Sequence, residues 1–576
     1  MEDIILRVVG EAGEGVISLG EIIARACARL SYHVLTYRTY PAEIRGGPTM
    51  FQVRISPDPV LSQGDGVDIL LALNPASLES DGAELRTGGV FLYDAPDANV
   101  SQEIKDGARI IHYPLPLTEI ATKELNYYLG KNMVALGIMT ALFGFPYNLI
   151  IELVYQRYPK AEKNLQALEA GFQYGKLHLE KRDQFLLKGR GSKEDRLILT
   201  GNEAIALAAL AGGCRFFAGY PITPATEIME WLAQKLPPFG GIVLQMEDEL
   251  AALAAVLGAS FAGKKAMTAT SGPGLSLMSE LLGLASMAEL PVVVVDVQRA
   301  GPSTGIPTKT EQSDLNLACL GSHGEAPRIV LAPSTVEECL YYTIQAFNLA
   351  DIYQTAVILL TDQFLGQRLE TIPKPELLSI PRHDRLKYLA NGEAKFLRYR
   401  LTPTGISPVA FPGEAGGMHV ITGLEHNPAG APDYSPETHQ AMMAKRFKKL
   451  EPLPQTIEAR KAFGDQEAEL GIIGWGSSQG AVQEAISQAR QAGYRVAALY
   501  LKLLYPLPIE QIREFIRSVK KILILEGNYT GQLARFIRSE LLINPIQLNI
   551  CAGRPFSPRE VYSKIEDEIM SLHQHM

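Results

Sequence analysis

The chain has 576 residues, of which 47% are hydrophobic and 20% charged, so wholesale disorder is excluded and, at about 150 residues per domain, about four compact domains are expected. Lys and Arg total 54 against 63 Asp and Glu, a net charge of −9 that lacks the basic excess of a nucleic-acid binder. Five scattered cysteines (Cys27, Cys214, Cys319, Cys339, Cys551) include no Cys-x-x-Cys pair, which argues against a disulfide framework and against an iron–sulfur or zinc-ribbon site built from this chain alone, and points to a reducing cytoplasm.

The N-terminus, MEDIILRVVG, is acidic and opens directly on a strand pattern, so no signal peptide is expected. Ile4 to Val9 reads as a buried strand, Gly10-Glu-Ala-Gly13-Glu-Gly15 as a tight loop, Val16 to Leu30 as a helix and His33 to Tyr37 as a second strand, together a βαβ unit. Short apolar runs at Ile69–Leu73 and Gly89–Tyr93 are spaced as parallel strands. Asn132 to Ile151 carries no charge and imitates a membrane span, but Gly137, Gly144, Pro146 and Asn148 interrupt it. The uninterrupted part is too short for a bilayer, which predicts a buried helix, a Phe-Pro-Tyr-Asn turn and a second helix start. A polar stretch, 188–196, reads as a linker. A second α/β block follows, with strands expected at Ile242–Gln245, Lys265–Ala269, Val292–Val297 and Thr355–Leu360 and a small-residue helix from Glu249 to Ser260. From 363 to 449 prolines sit among charges with no strong apolar period, as in an extended arm ordered by what it lies on. The last block is again α/β, with strands at Leu470–Ile473, Val496–Tyr500 and Ile522–Leu525.

Five segments carry candidate chemistry. Gly10, Gly13 and Gly15 sit between a strand and a helix, where backbone amides can hold a phosphate or merely turn the chain. Their order is not that of a dinucleotide fingerprint, and Tyr37 and Arg38 stand where a ribose-binding acid would end the second strand. Glu43-Ile44-Arg45-Gly46-Gly47 offers either an internal salt bridge or a cationic contact to a phosphate or thioester ligand. In Tyr220-Pro221-Ile222-Thr223-Pro224 two prolines stiffen the loop around Thr223, ahead of a helix start bearing Glu227. Glu247-Asp248-Glu249 precedes a helix too apolar for all three acids to stay in water, so one carboxylate is expected inside. Arg299 to Asp314 follows a buried strand and reads as a shaped loop lining a site.

In this order, and with Thr270-Ser-Gly-Pro-Gly274, Gly423-Leu-Glu-His426, Glu526-Gly-Asn528 and Gly531-Gln532, these motifs resemble the α subunit of thiamine-diphosphate-dependent 2-oxoacid:ferredoxin oxidoreductases with the family's γ domain fused in front. The resemblance implies a multidomain α/β chain: a γ-type domain over 1–187, a pyrimidine-type thiamine diphosphate domain over 196–362, an arm over 363–465 and a transketolase C-terminal-like domain over 466–576. It implies that Glu249 hydrogen-bonds the aminopyrimidine ring and promotes deprotonation of the cofactor. Thr223 and Arg299 would hold the 2-oxoacid, Tyr220, Pro221 and Ile222 would shape the cofactor pocket, and Gly13, Gly15, Arg45 and Gly46 would face coenzyme A. The implied reaction turns a 2-oxoacid, with 2-oxoglutarate favoured and Lys309 reaching its distal carboxylate, and coenzyme A into acyl-CoA, CO2 and reduced ferredoxin, or the reverse.

No Gly-Asp-Gly…Asn motif for a Mg2+–diphosphate and no cysteines for a 4Fe–4S cluster are read in this chain, and the resemblance assigns both to a separate β subunit, so the chain is expected to be inactive alone and to work as αβ or (αβ)2. No nucleic acid or membrane partner is expected. Glu11 and Glu14 stand where the family commonly has a glycine- and glutamine-rich loop, which leaves a phosphate contact there open. Pyruvate or branched-chain versions of the enzyme, and a non-catalytic acyl-CoA-binding relative, stay open as well.

Overall fold

The computed structural model describes residues 3–42, 46–74, 84–94, 109–189, 195–389, 395–457 and 462–574. They form two compact units: Met1–Leu199 with Gln367–Lys374 and Ser557–Arg559, and Thr200–Gly366 with Pro375–Phe556 and Glu560–Met576. Glu43, Ile44, Arg45 and part of the 188–196 linker lie outside the described residues.

The first unit is built on a mixed sheet. Its strands β1 Ile4–Glu11, β2 His33–Thr39, β3 Pro48–Ser56, β4 Val67–Ala72, β5 Leu85–Asp94 and β6 Ile111–Leu115 run in the order β6-β5-β4-β1-β3-β2, followed by Leu369–Pro373 and Arg196–Thr200. β1, β4, β5 and β6 are parallel. The expected βαβ unit is split: β3 lies between β1 and β2 and is antiparallel to both. The overlooked signal is the alternation of Phe51, Val53 and Ile55, all buried, with Gln52 and Arg54. Gln52 Oε1 accepts from Arg7 Nε at 3.0 Å and Nη2 at 2.7 Å, so the polar side of β3 is satisfied as well.

The membrane-like segment is the helix Lys131–Phe143, a turn and the helix Tyr147–Arg157. The first of these is buried almost throughout and packs on Glu162–His178. An added Cβ on Gly137 would stand 2.6 Å from the Phe172 nitrogen, and one on Gly171 would stand 2.9 Å from Val134 Cα, so the glycines permit the close crossing. Among the described residues no helix is long and apolar enough to cross a membrane.

The second unit holds two sheets. One runs Leu503–Tyr505, Ile329–Leu331, Ala356–Asp362, Val292–Gln298, Ala266–Thr270, Phe216–Gly219, Ile242–Gln245, with Leu503–Tyr505 antiparallel to its neighbour and the rest parallel. The other runs Phe463–Gly464, Val496–Leu501, Ala468–Trp475, Val519–Glu526, Ile546–Asn549, parallel apart from its short first strand. The central strand Val292–Gln298 is buried at every residue, as expected of β-branched residues with helices on both faces. One apolar core joins the two sheets, with Val294 and Leu360 of one and Trp475 and Leu501 of the other.

The proline-rich stretch after Lys374 has little regular structure before the helix Pro436–Lys448, which Ser435 caps by accepting from the Thr438 amide. Buried charge fixes it. Lys445 Nζ donates to both Glu289 oxygens at 2.6 and 2.7 Å, and Lys449 Nζ donates to Glu289 Oε2 at 3.3 Å and to the Gln354 carbonyl at 2.8 Å. Arg398 adds bonds to the Glu289 carbonyl and Gln354 Oε1.

Candidate active site

Four neighbouring parallel strands of the second unit end on the same edge of their sheet, and each releases one of the singled-out segments. Phe216–Gly219 leads into Tyr220–Pro224, Ile242–Gln245 into Glu247–Glu249, Ala266–Thr270 into Ser271–Gly274, and Val292–Gln298 into Arg299. The carboxyl ends of parallel strands are where open α/β sheets bind ligands, because loops and helix starts converge there.

Of the three consecutive acids only Glu249 is buried; Glu247 is exposed, and Asp248 caps the helix Glu249–Phe261 by accepting from Ala251 N at 2.7 Å. The burial of one carboxylate is thus as expected, and the cap explains how the helix can start there. Glu249 packs against Gly274: a Cβ on that glycine would stand 2.7 Å from Glu249 Oε1 and Cγ and would run into Thr270 Oγ1. The glycine two residues earlier does the same for another acid, since a Cβ on Gly272 would stand 2.6 and 2.7 Å from the Asp314 carboxylate oxygens. The Gly-Pro-Gly pattern thus leaves room for two carboxyl groups.

Arg299 is buried and reaches past the end of the intervening strand Ala266–Thr270, donating from Nη1 to the Thr223 carbonyl at 2.8 Å. Thr223 and Arg299 are therefore brought together. The Thr223 loop is itself fixed from below: Ala225 N donates to the Ile222 carbonyl at 2.8 Å, and Asn202 Nδ2 donates to the Pro224 carbonyl and to Glu227 Oε2, each at 2.9 Å. Tyr220 and Pro221 are exposed on its rim, with Ile222 half-buried. Burial lowers the Arg299 pKa and Asp314 opposes that shift.

Lys309 closes the turn that begins after Arg299. Ala300 N donates to the Lys309 carbonyl at 2.9 Å, and the Lys309 stem lies over Gly553, whose added Cβ would stand 3.0 Å from Lys309 Cβ. The rest of that loop is pinned by Gln312, which no pattern in the sequence singles out. Its amide nitrogen donates to the Gly527 carbonyl at 2.7 Å, its Nε2 to the Trp475 carbonyl at 2.9 Å, and it accepts from Gly527 N and Asn528 Nδ2. The Glu526-Gly-Asn528 motif therefore anchors this loop, while Asn528 Oδ1 accepts from Gly531 N at the next helix start.

The N-terminal glycine loop is a separate construction in the first unit. Gly13 and Gly46 both have positive φ and open space where a Cβ would lie, and the two loops are joined by Ala12 N donating to the Gly47 carbonyl at 3.1 Å. Gly15 faces inward against Asn132. Glu14 also turns inward: its Oε2 accepts from Glu11 N and Asn74 Nδ2, and Oε1 lies 3.4 Å from Lys131 Nζ, which also pairs with the buried Asp94. Its charge is thus paired beneath the loop, whereas Glu11 stays exposed beside Gly13.

Two further acids escaped sequence reading. Asp296 is fully buried within Val292–Gln298, and a carboxylate inside a run of valines is itself the signal. Asp314 opens the helix Leu315–Leu320, its amide donating to Gln298 Oε1 at 3.0 Å. A Gly-Asp-Gly triplet, Gly64-Asp65-Gly66, does occur, against the reading of a chain without that motif; it lies just before β4 in the first unit, with Asp65 accepting from the Arg559 amide. Among the described residues no cluster of three or more His, Cys, Asp or Glu is arranged to hold a metal ion.

Residues 207–445 match the family described as pyruvate flavodoxin/ferredoxin oxidoreductase, thiamine diphosphate-binding; residues 5–174 match the pyruvate ferredoxin/flavodoxin oxidoreductase family, and 468–561 match pyruvate:ferredoxin oxidoreductase core domain II. Subunit alpha of 2-oxoacid:ferredoxin oxidoreductase 2 from Aeropyrum pernix is 32% identical over 98% of each chain. The 2-oxoglutarate oxidoreductase subunit KorA of Mycobacterium tuberculosis is 33% identical over 97% of this chain and 91% of its own. The solved 2-oxoglutarate:ferredoxin oxidoreductase of Magnetococcus marinus, with 2-oxoglutarate, coenzyme A and succinyl-CoA bound, is 44% identical over 99% of this chain and 100% of its own, with a TM-score of 0.92. This chain belongs to the 2-oxoacid:ferredoxin oxidoreductase family, as an α-type subunit.

Proposed function

We propose that this chain is the γ–α fused half of an enzyme that oxidatively decarboxylates 2-oxoglutarate with coenzyme A to succinyl-CoA, CO2 and reduced ferredoxin, or runs the reverse carboxylation. The carrying observation is the convergence, on one sheet edge, of the buried Glu249 and the Arg299–Thr223 pair. The relative named for 2-oxoglutarate and the solved structure holding 2-oxoglutarate and coenzyme A support that substrate over pyruvate or a branched-chain 2-oxoacid.

The residues fit thiamine diphosphate, because a carboxyl kept from water at a helix start, beside a glycine that leaves room, suits a buried heterocycle. When bound, the cofactor supplies the nucleophilic carbon and the electron sink for decarboxylation. Glu249 would hold the aminopyrimidine ring through its carboxyl, and Tyr220, Pro221 and Ile222 would wall the pocket. Arg299 would take the 2-oxoacid carboxylate through charge-assisted hydrogen bonds, with Thr223 beside it. Lys309 would reach the distal carboxylate, so Lys309→Ala should lower selectivity for 2-oxoglutarate over pyruvate. Gly13, Arg45 and Gly46, in the 1–187 segment, would face coenzyme A, while Gly15, backed by Asn132, would turn the chain beneath them, and the inward turn of Glu14 supports this by removing its charge from the loop surface. The 196–362, 363–465 and 466–576 segments would serve as the pyrimidine-type domain, the arm and the transketolase C-terminal-like domain.

The site needs a second chain. Ile242 at 54%, Leu244 at 40% and Leu250 at 40% exposed stand on the edge strand and helix beside Glu249, an apolar face suited to burial by a partner. A cytoplasmic β subunit bearing Mg2+, the diphosphate site and a 4Fe–4S cluster fits that place, giving αβ or (αβ)2.

The test is coenzyme-A-dependent viologen reduction, without oxygen, by this chain assembled with such a partner. Activity on 2-oxoglutarate that neither subunit shows alone, and that Glu249→Ala removes, is expected. A formed complex holding thiamine diphosphate yet silent on 2-oxoglutarate, pyruvate and 2-oxoisovalerate refutes the reading.

A further inference from the structure

A cavity of about 350 Å3 that none of the proposed roles uses opens beside the parallel strands Val519–Glu526 and Ile546–Asn549, at the rim of their sheet. Its size suits a small ligand. Its polar lining is Tyr529, Thr530, Arg535, Arg538, Gln547 and Asn549, and no carboxylate is among the described residues that line it. The helix Gln532–Leu541 carries the two arginines at i and i+3, so they stand on one face, toward the cavity. Among the described residues neither guanidinium makes an ion pair or a hydrogen bond. Two like charges side by side destabilise a helix, and a bound anion turns that repulsion into attraction. The start of the helix cannot take the anion in their place. Gly531 N and Gln532 N donate to Asn528 Oδ1 at 2.9 and 3.3 Å, and Leu533 N and Ala534 N donate to Glu526 at 2.8 and 3.0 Å, so these amides are spent.

The strand side of the cavity presents an amide pair. Asn549 Nδ2 donates to Gln547 Oε1 at 3.0 Å, which leaves the Gln547 Nε2 donor beside the Asn549 Oδ1 acceptor; that oxygen is shut from water and has no partner. Gly531 permits the arrangement, because an added Cβ there would stand 3.2 Å from Asn549 Nδ2 and would run into Gln547 Oε1. A donor beside an acceptor matches one edge of a nucleobase. Tyr529, 82% exposed, holds a bare ring on which a base can stack. We propose that this cavity binds a nucleoside phosphate: Arg535 and Arg538 grip the phosphate, Gln547 and Asn549 take the edge of the base, and Tyr529 stacks on its face. The site is independent of the reaction proposed above. A free nucleotide such as ADP and the adenosine phosphate end of coenzyme A share this chemistry.

Calorimetric titration of the full chain with ADP, inorganic phosphate and adenosine tests the site. ADP is expected to bind more tightly than either of its fragments. Replacing both arginines, Arg535→Gln with Arg538→Gln, should weaken ADP by about tenfold or more, because it removes the charge-assisted bonds. Tyr529→Ala should weaken ADP by about fivefold or more and leave inorganic phosphate unaffected, because only the base stacks on the ring. All three side chains are exposed, so an unchanged Tm is expected in each variant. Hydrogen exchange on the wild type needs no variant: ADP should protect residues 529–549. Coenzyme A separates the two sources. ADP binding that persists under saturating coenzyme A assigns the site to a free nucleotide, and competitive loss assigns it to the adenosine end of coenzyme A; either supports the site. ADP affinity unchanged in the double variant, inorganic phosphate bound as tightly as ADP, or no protection over 529–549 overturns the proposal.

Discussion

Replacing Gly274 by alanine tests the Glu249 pocket more sharply than replacing Glu249. The added Cβ would stand 2.7 Å from Glu249 Cγ and Oε1, and closer still to Thr270 Oγ1, which is tethered to the Ser271 carbonyl at 3.3 Å. Ordinary contacts begin near 3.5 Å, so the Glu249 carboxyl must retreat by roughly 0.8 Å or the helix start must shift. Overpacking of that kind costs about 1–3 kcal/mol, and a misplacement near 1 Å at a reacting centre costs on the order of a hundredfold in rate. Gly274→Ala is therefore expected to fold, to bind thiamine diphosphate at least about fivefold more weakly, and to lose ten- to a hundredfold in kcat. The assays are viologen reduction by the assembled enzyme and a cofactor titration followed by intrinsic fluorescence. Gly258→Ala in the same helix is the control: a Cβ there meets nothing within 4 Å, so thermal stability should hold or rise by about 0.5–1 kcal/mol. A folded Gly274→Ala with wild-type kcat and cofactor affinity would refute the claim that Glu249 needs the space this glycine leaves.

Glu289→Gln removes the shared counter-ion of Lys445 and Lys449, both about 1% exposed at the side chain, and should cost about 3–5 kcal/mol, read as a lowered Tm with the Pro436–Lys448 helix exchanging first. In the wild type, burial opposes the charge on Glu289, but Lys449, Lys445 and Arg398 outweigh it and hold the carboxyl down at about 2. Its folded pKa is depressed, so the stability it contributes is fully present above its ordinary value and fades as pH falls through about 2; Glu289→Gln should flatten that part of an acid-unfolding curve. Gln312→Ala removes the two side-chain bonds, to the Trp475 carbonyl and from Gly527 N, at about 1 kcal/mol each, keeps the backbone bonds to Gly527 and Asn528, and should speed hydrogen exchange over residues 300–312 with little change in the strand before them. Lys131→Met strands Glu14 and the buried Asp94 and should destabilise the first unit by about 3–5 kcal/mol in a denaturant titration; unchanged stability would show that the pair is not uncompensated without it.

Wherever apolar period carried the information, the fold was legible. The strands at Ile4, Val292 and Val496 and the helix at Glu249 are where hydrophobic patterning puts them. Pairing was less legible, because strand order is decided by long-range contact: nothing local says that β3 inserts between β1 and β2, although its alternation announces a strand. The arm after Lys374 shows the opposite case. Its order comes from buried ion pairs whose partners, such as Glu289 and Lys445, lie 156 residues apart, and a charge run in sequence gives no sign of which charges will be buried.

The candidate site divides along the same line. Glu249, Thr223 and Arg299 stood out because each breaks its surroundings: an acid before an alanine helix, a hydroxyl between prolines, a cation after a valine-rich strand. Gln312 breaks nothing, since a glutamine in a polar loop is unremarkable until its bonds to another sheet are seen. Asp296 did break a pattern, and only the third dimension shows that it is fully buried with no hydrogen-bond partner on either carboxylate oxygen. In Gly272 and Gly274 the sequence recorded the site indirectly: each glycine marks a carboxyl group supplied from elsewhere in the chain, so the missing side chains at 272 and 274 hold the places of Asp314 and Glu249.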